Sequence, residues 1–280
     1  MKKNLFIALL VFFSASLLKA QDVISVDDLA KDLRNSNLVV ISAGPKSEYD
    51  KQHITGSINI PYNAFDRSGN IEGLLIADAE IAKGLGERGV SDKNTIVVYD
   101  EYDGRYAARI YFLLKYLGAK DVKILDGGLD AWRAGRKPIT RNPTNVTRKT
   151  FTASPNRRIM VTAQNVAAAG SNAVLVDSRS PGEYRGRENN SKGHIQGAIN
   201  IDYKELLGTD GKLKPRAQLE RVYTAKGVSK DKEVILYCTS GVRTGIHYLV
   251  LTSILGYTNV KVYDGGLNEW ITINPGRVAQ

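Results

Sequence analysis

Cysteine is nearly absent from this chain: Cys238 is the only one in 280 residues. A single thiol cannot close an internal disulfide, so a disulfide-stapled fold is excluded, and Cys238 is either a small buried hydrophobe or a group kept for its reactivity. Runs of like charge are missing too. The formal net charge is +10, from 39 Lys and Arg against 29 Asp and Glu, yet no five basic residues fall together. That pattern argues against a nucleic-acid partner and for a basic surface that steers small anions. Proline is scarce, at eight residues, and 42% of the chain is hydrophobic. The chain is therefore globular, with length for one large domain or two ordinary ones.

The N-terminus, MKKNLFIALLVFFSASLLKAQ, joins Lys2 and Lys3 to an apolar run from Leu5 to Leu18, with Ala20 before Gln21. This is the layout of a cleavable secretory signal over residues 1–20, and the run is short for a membrane span. The chain is expected to be exported, to the periplasm or beyond, without stable membrane association after cleavage. Loss of Lys2, Lys3 and Lys19 would lower the net charge to +7.

Internal repetition is the strongest signal. Residues 96–132 align without gaps on residues 234–270, at an offset of 138. Tyr99 falls on Tyr237, Arg105 on Arg243, Gly118 on Gly256, Trp132 on Trp270, and Asp126-Gly127-Gly128-Leu129 on Asp264-Gly265-Gly266-Leu267. Upstream, EYDKQHITGSINIPY (48–62) parallels EYRGRENNSKGHIQGAINIDY (183–203), with six extra residues in the second copy. The chain reads as two copies of one domain, over 22–135 and 158–276. They are joined by 136–157, whose three prolines and polar content suggest a linker.

In each copy, β-branched runs alternate with helical stretches. In the second, 173–178, 234–238 and 260–266 read as strands and 244–256 as a largely buried helix. The expected class is α/β, with mainly parallel sheets covered by helices on both faces. Sites in such folds lie beyond the carboxyl ends of strands, and Cys238 is placed there. Thr239, Ser240, Gly241 and Val242 would wrap the sulfur with backbone N–H groups, favouring an anion at a helix start. Arg243 would add a forked donor for a substrate oxyanion. Four residues separate Cys238 from Arg243, whereas cysteine-dependent phosphatases place five in that interval. The tighter loop suits one extra sulfur atom better than a phosphoryl group.

The tandem repeat, the C-x-x-G-V-R loop at 238–243, D-S-R at 177–179, G-H-I-x-G-A-I-N at 193–200 and D-G-G-L-x-x-W at 264–270 resemble the two-domain rhodanese family of sulfurtransferases. The resemblance covers nearly all of 22–275 and implies a catalytic second domain beside a degenerate first. Asp100 stands at the first-copy position of Cys238, and Ser42, Ala43 and Gly44 stand where the second copy has D-x-R. The resemblance further implies a double displacement through a Cys238 persulfide, with neither metal nor organic cofactor. The partners would be a small anionic sulfur donor and a thiophilic acceptor such as cyanide or a thiol. Arg179 matches the family's donor-binding arginine, and Arg187 lies near a second basic position. Asp177 is expected to orient backbone or Arg179, His194 to be structural like His53, and Asp264 and Trp270 to be turn and core residues.

Thr239-Ser240 after the cysteine is nearer the 3-mercaptopyruvate type of this family than the thiosulfate type, while Arg243 replaces the small hydroxyl residue of the former. Export favours thiosulfate as donor. A monomer is expected, and a persulfide carrier that serves a protein partner is the alternative reading.

Overall fold

The structure is a computed structural model, describing residues 22–170 and 172–280; the signal reading on 1–20 lies outside these. The first domain runs β1 (Val23–Ile24), α1 (Val26–Asp32), β2 (Leu38–Ser42), α2 (Lys46–Lys51), β3 (His53–Ile54), β4 (Ile58–Asn59), α3 (Asp78–Glu87), β5 (Thr95–Tyr99), α4 (Arg105–Tyr116), β6 (Asp121–Leu125), α5 (Gly128–Ala134) and β7 (Ile139–Thr140). The second repeats the order as β8 (Met160–Val161), α6 (Ala163–Ala168), β9 (Ala173–Asp177), α7 (Pro181–Tyr184), β10 (His194–Ile195), β11 (Ile199–Asn200), α8 (Arg216–Thr224), β12 (Glu233–Tyr237), α9 (Thr244–Leu249), β13 (Val260–Tyr263), α10 (Gly266–Ile273) and β14 (Val278–Ala279).

Each domain is built on one five-stranded, all-parallel sheet. The strand orders β1-β6-β5-β2-β4 and β8-β13-β12-β9-β11 are equivalent, strand for strand. The central strands are buried on both faces, as parallel strands between helix layers must be: Ile96–Tyr99 and Val234–Tyr237 are all fully covered. The expected α/β class is thus observed in both copies.

A small antiparallel pair completes each domain, β3 with β7 and β10 with β14. The segment 136–157 is docked on the first domain. It contributes β7, buries Phe151, and donates from the amides of Lys149, Ser154 and Asn156 to the carbonyls of Gly86, Leu117 and Tyr116. His53 and His194 each direct Nδ1 to a carbonyl, of Tyr49 and Tyr184, and stack on those tyrosine rings. Both are structural, as their duplication suggests.

The domains meet through α4 and α9. Nearly every residue of α4 from Ala107 to Tyr116 is buried, because its second face is covered by the other domain rather than by water. One apolar core runs through both sheets and both helices. The backbones approach closely at Gly245, where a Cβ would lie 2.2 Å from the Ala108 carbonyl oxygen; no larger residue fits without displacement. The helix expected over 244–256 is α-helical only to Leu249 and continues as one π turn over Val250–Ile254. Among the described residues no helix is long and apolar enough to cross a membrane.

Candidate active site

Cys238 follows directly on β12, at the carboxyl end of the central strand of the second sheet. It is 1% exposed. The loop 239–243 turns at Gly241, which takes φ +77°, and reaches α9 at Thr244. The Thr244 hydroxyl donates to the Gly241 carbonyl and fixes the exit of the loop. From below, the start of α10 holds the entry: the amides of Leu267 and Asn268 donate to the carbonyls of Cys238 and Thr239. The repeated D-G-G-L segment is therefore a support for the cysteine loop, which explains its presence in both copies.

The first copy shows what this strand end favours. There Asp100 occupies the position of Cys238, and its carboxylate accepts four backbone N–H groups: Tyr102 and Gly104 on Oδ1, Tyr106 and Ala107 on Oδ2, all within 3.0 Å. Burial pushes its carboxyl up, and these amides oppose that effect. A group with two anionic oxygens thus takes all its hydrogen bonds from converging amides. Two of those donors sit on the first turn of α4, and the matching residues of α9 are Thr244 and Gly245. The loop interiors differ, since the left-handed glycine is the fourth residue after Asp100 (Gly104) but the third after Cys238 (Gly241).

Arg243 stands beside Cys238, and the forked donor that the sequence offers to a substrate oxyanion is engaged by Glu183 and Thr239. Its Nη1 and Nη2 clasp the two carboxylate oxygens of Glu183 at 2.6 and 3.1 Å, and Nη2 also donates to the Thr239 hydroxyl at 2.7 Å. Burial disfavours the Arg243 charge, but Glu183 and the neighbouring Cys238 sulfur outweigh it and hold the guanidinium above its ordinary value. Burial likewise opposes ionisation of Glu183, yet the Arg243 clasp wins and pulls its carboxyl down to about 2. Sequence reading missed Glu183. Its signature there is a capping box: Ser180 caps α7 and Glu183 accepts from the Ser180 amide, a structural role that conceals the second one.

Arg179, matched to a donor-binding position by the sequence, lies just past the carboxyl end of β9. It is 1% exposed. Nε and Nη2 hold the Asp177 carboxylate at 2.6–3.1 Å, Nη2 also donates to the Gly193 carbonyl, and Nη1 donates to Ser191. Every guanidinium nitrogen is engaged, so Arg179 ties β9 to the turn before β10, with Asp177 orienting it as expected. Arg187 lies exposed in the same insertion-bearing segment, its amide bonded to the Gly182 carbonyl.

The corresponding region of the first copy is filled by different residues. Glu101 fills the volume over Gly44, donated to by the Ser42 hydroxyl, and burial raises its carboxyl to about 7. Arg105, the counterpart of Arg243, reaches instead to Tyr203 of the second domain, whose hydroxyl donates to Asp103.

Asp264 is more than a turn residue. Its carboxylate is paired with the buried guanidinium of Arg109, from α4 of the first domain. No local pattern pairs residues so distant in sequence. Among the described residues no three His, Cys, Asp or Glu side chains converge as metal ligands would.

The Rhodanese-like domain model matches residues 25–135 and 162–272. A Mycobacterium leprae protein named "Putative thiosulfate sulfurtransferase" is 33% identical over 260 residues, covering 89% of this chain and 94% of its own. The sulfur carrier protein TtuD of Thermus thermophilus is 30% identical over 239 residues, covering 79% and 83%. Among solved structures, the 3-mercaptopyruvate sulfurtransferase SseA of Escherichia coli superposes with TM-score 0.81 at 26% identity, over 88% of this chain and 99% of that one. An anaerobic ergothioneine biosynthesis enzyme of Chlorobium limicola shares the fold, with TM-score 0.81 at 21% identity, over 92% of this chain and 70% of that one.

Proposed function

Since this chain belongs to the rhodanese-like family and carries its domain twice, we propose that it is a sulfurtransferase working through a persulfide on Cys238, with thiosulfate as donor. The Cys238 thiolate attacks the outer sulfur of thiosulfate, the S–S bond to the sulfonate sulfur breaks, and sulfite departs with the electron pair. The sulfane sulfur stays on Cys238 as an anionic persulfide. Cyanide then attacks that sulfur, thiocyanate leaves, and the thiolate returns; a thiol acceptor would leave as its own persulfide. No net oxidation of the protein occurs.

The observation that carries this reading is Asp100, held by four amides at the strand end where the second copy has Cys238. A fold that binds a carboxylate there is suited to a thiolate and to a persulfide, each a single negative charge at a helix start. The amides of loop 239–243 and of the first turn of α9 are the groups we assign to stabilising the sulfur anion through both half-reactions. Arg243, placed beside Cys238, and exposed Arg187 are the groups we assign to attracting the donor anion, while Arg179 holds the framework. The thiosulfate assignment is supported by the name of the Mycobacterium leprae relative. The likeness to SseA keeps 3-mercaptopyruvate as the competing donor.

Intact mass spectrometry after incubation with each donor tests the proposal. Thiosulfate should add one sulfur atom to the wild-type chain and none to Cys238→Ser. Retained cyanide-dependent turnover in that variant would sink the reading. The likeness to TtuD favours a second role, carriage of persulfide to a protein acceptor; slow steady-state turnover with cyanide after complete sulfur loading would support it. We further propose export, on the basic-apolar N-terminal pattern. Recovery of the chain only in the cytoplasmic fraction, still beginning at Met1, would contradict it.

A further inference from the structure

We propose that Arg109, supplied by the silent first domain, is a positioning residue for the Cys238 reaction: it clamps the turn beneath the cysteine loop and the segment that covers it into one frame. The inference rests on Cys238 as the sulfur-carrying nucleophile.

Arg109 lies in the middle of α4 and is 1% exposed. Its counterpart in α9 is His247, bonded to Tyr223 of its own domain, so the duplicated fold does not need a cation there. Burying a guanidinium is costly unless it is paired and hydrogen-bonded, and the partners Arg109 collects show what that cost maintains. Nη1 pairs with Asp264 of the second domain. Nη2 donates to the Gly73 carbonyl at 2.8 Å and lies 3.6 Å from Asp66. Asp264 opens the turn whose Leu267 and Asn268 amides hold the carbonyls of Cys238 and Thr239. Gly73 belongs to a loop closed by pairing of Asp66 with Leu75, and it abuts Ser240 so closely that a Cβ there would be 2.3 Å from the Ser240 carbonyl oxygen. Between these two supports lies Gly241, where a Cβ would be 2.9 Å from Nη1 of Arg109 and 3.0 Å from Oδ1 of Asp264. The guanidinium therefore touches the back of the cysteine loop and ties its floor to its cover.

The charged groups around this loop are Arg109, Asp264 and Asp66 on one side and Arg243 with Glu183 on the other. The donor is attracted from the Arg243 side, so the clamp acts on the geometry of the reacting sulfur rather than on donor capture. Loosening it lets the Cys238 and Thr239 carbonyls slip from the Leu267 and Asn268 amides and the Gly241 turn shift, which displaces the reacting sulfur, costs transition-state stabilisation and leaves ground-state binding nearly intact.

The test uses the full chain with thiosulfate and cyanide, comparing wild type, Arg109→Met, Arg109→Lys and the double variant Arg109→Met/Asp264→Asn, each checked by thermal unfolding. Arg109→Met should lower kcat by about tenfold or more while KM moves by less than about twofold. The double variant removes the stranded Asp264 charge and should not recover, while Arg109→Lys should recover in part. Wild-type kcat in folded Arg109→Met, or full recovery in the double variant, would overturn the proposal. If Arg109→Met does not fold, unchanged kcat in Arg109→Lys at wild-type melting temperature overturns it equally. Should wild type itself gain no sulfur, the sulfurtransferase reading fails separately. Iodoacetamide alkylation of Cys238 then reads the clamp, with equal rates in wild type and Arg109→Lys counting against it.

Discussion

Replacing Glu183 with glutamine isolates the charge pair that locks Arg243. The Glu183 carboxyl lies at about 2 in the folded chain against 4.5 when free, a gap of about 2.5 pH units, or about 3 kcal/mol at 1.36 kcal/mol per unit. Because the folded value is the depressed one, this stability is fully present above about pH 4.5 and is lost as pH falls toward 2. About 2 kcal/mol of it should be gone by pH 3. Glutamine keeps the acceptor that caps α7 but carries no charge to titrate. Denaturant unfolding of wild type and Glu183→Gln at pH 7, 5, 4 and 3 should give a wild-type advantage that shrinks by about 2 kcal/mol over this range. The variant also leaves Arg243 buried without its anion, so it should be the less stable protein at pH 7. Stability curves that run parallel across the whole range would refute the pair as a source of acid lability.

Three further outcomes are expected. Asp100→Cys should yield no second loaded sulfur by intact mass, because Glu101 closes that copy over Gly44 and Arg105 is spent on Tyr203; two added sulfurs would contradict this. Gly245→Ala should cost about 1–3 kcal/mol, since the new methyl must displace the Ala108 carbonyl, and an unchanged melting temperature would show that α4 and α9 can separate freely. Arg243→Lys keeps the charge but loses the two-pronged hold on Glu183 and Thr239, so kcat/KM for the donor should fall about ten- to hundredfold; stopped-flow measurement should find the cyanide step much less affected, and equal damage to both steps would make Arg243 a brace alone.

Much of this architecture is written locally and therefore legible in the sequence. The repeat at an offset of 138, the β-branched run ahead of Cys238 and the helix after it place the thiol at a strand end, because those patterns depend on neighbours within a few residues. Side-chain partnerships are another matter. Asp177 pairs with Arg179 as D-S-R at 177–179 suggests, but the bonds of Arg179 to Ser191 and the Gly193 carbonyl have no local signature. Arg243 was visible, but Glu183, sixty positions earlier, was hidden behind its capping role. Arg109 and Asp264 belong to different domains, and only the packing of α4 on α9 brings them together. The segment 136–157 has a linker's composition, but its amides find fixed acceptors on the first domain.

The apolar core that runs unbroken through α4 and α9 changes what duplication means for this molecule. The copy that lacks the cysteine contributes part of the apolar interior on which the copy that carries it is packed. Substitutions along the buried face of α4 should therefore disturb both halves. Melting should follow the same logic, with both halves lost in one cooperative step. A lesion deep in the half without the cysteine would then reach Cys238 through the shared core.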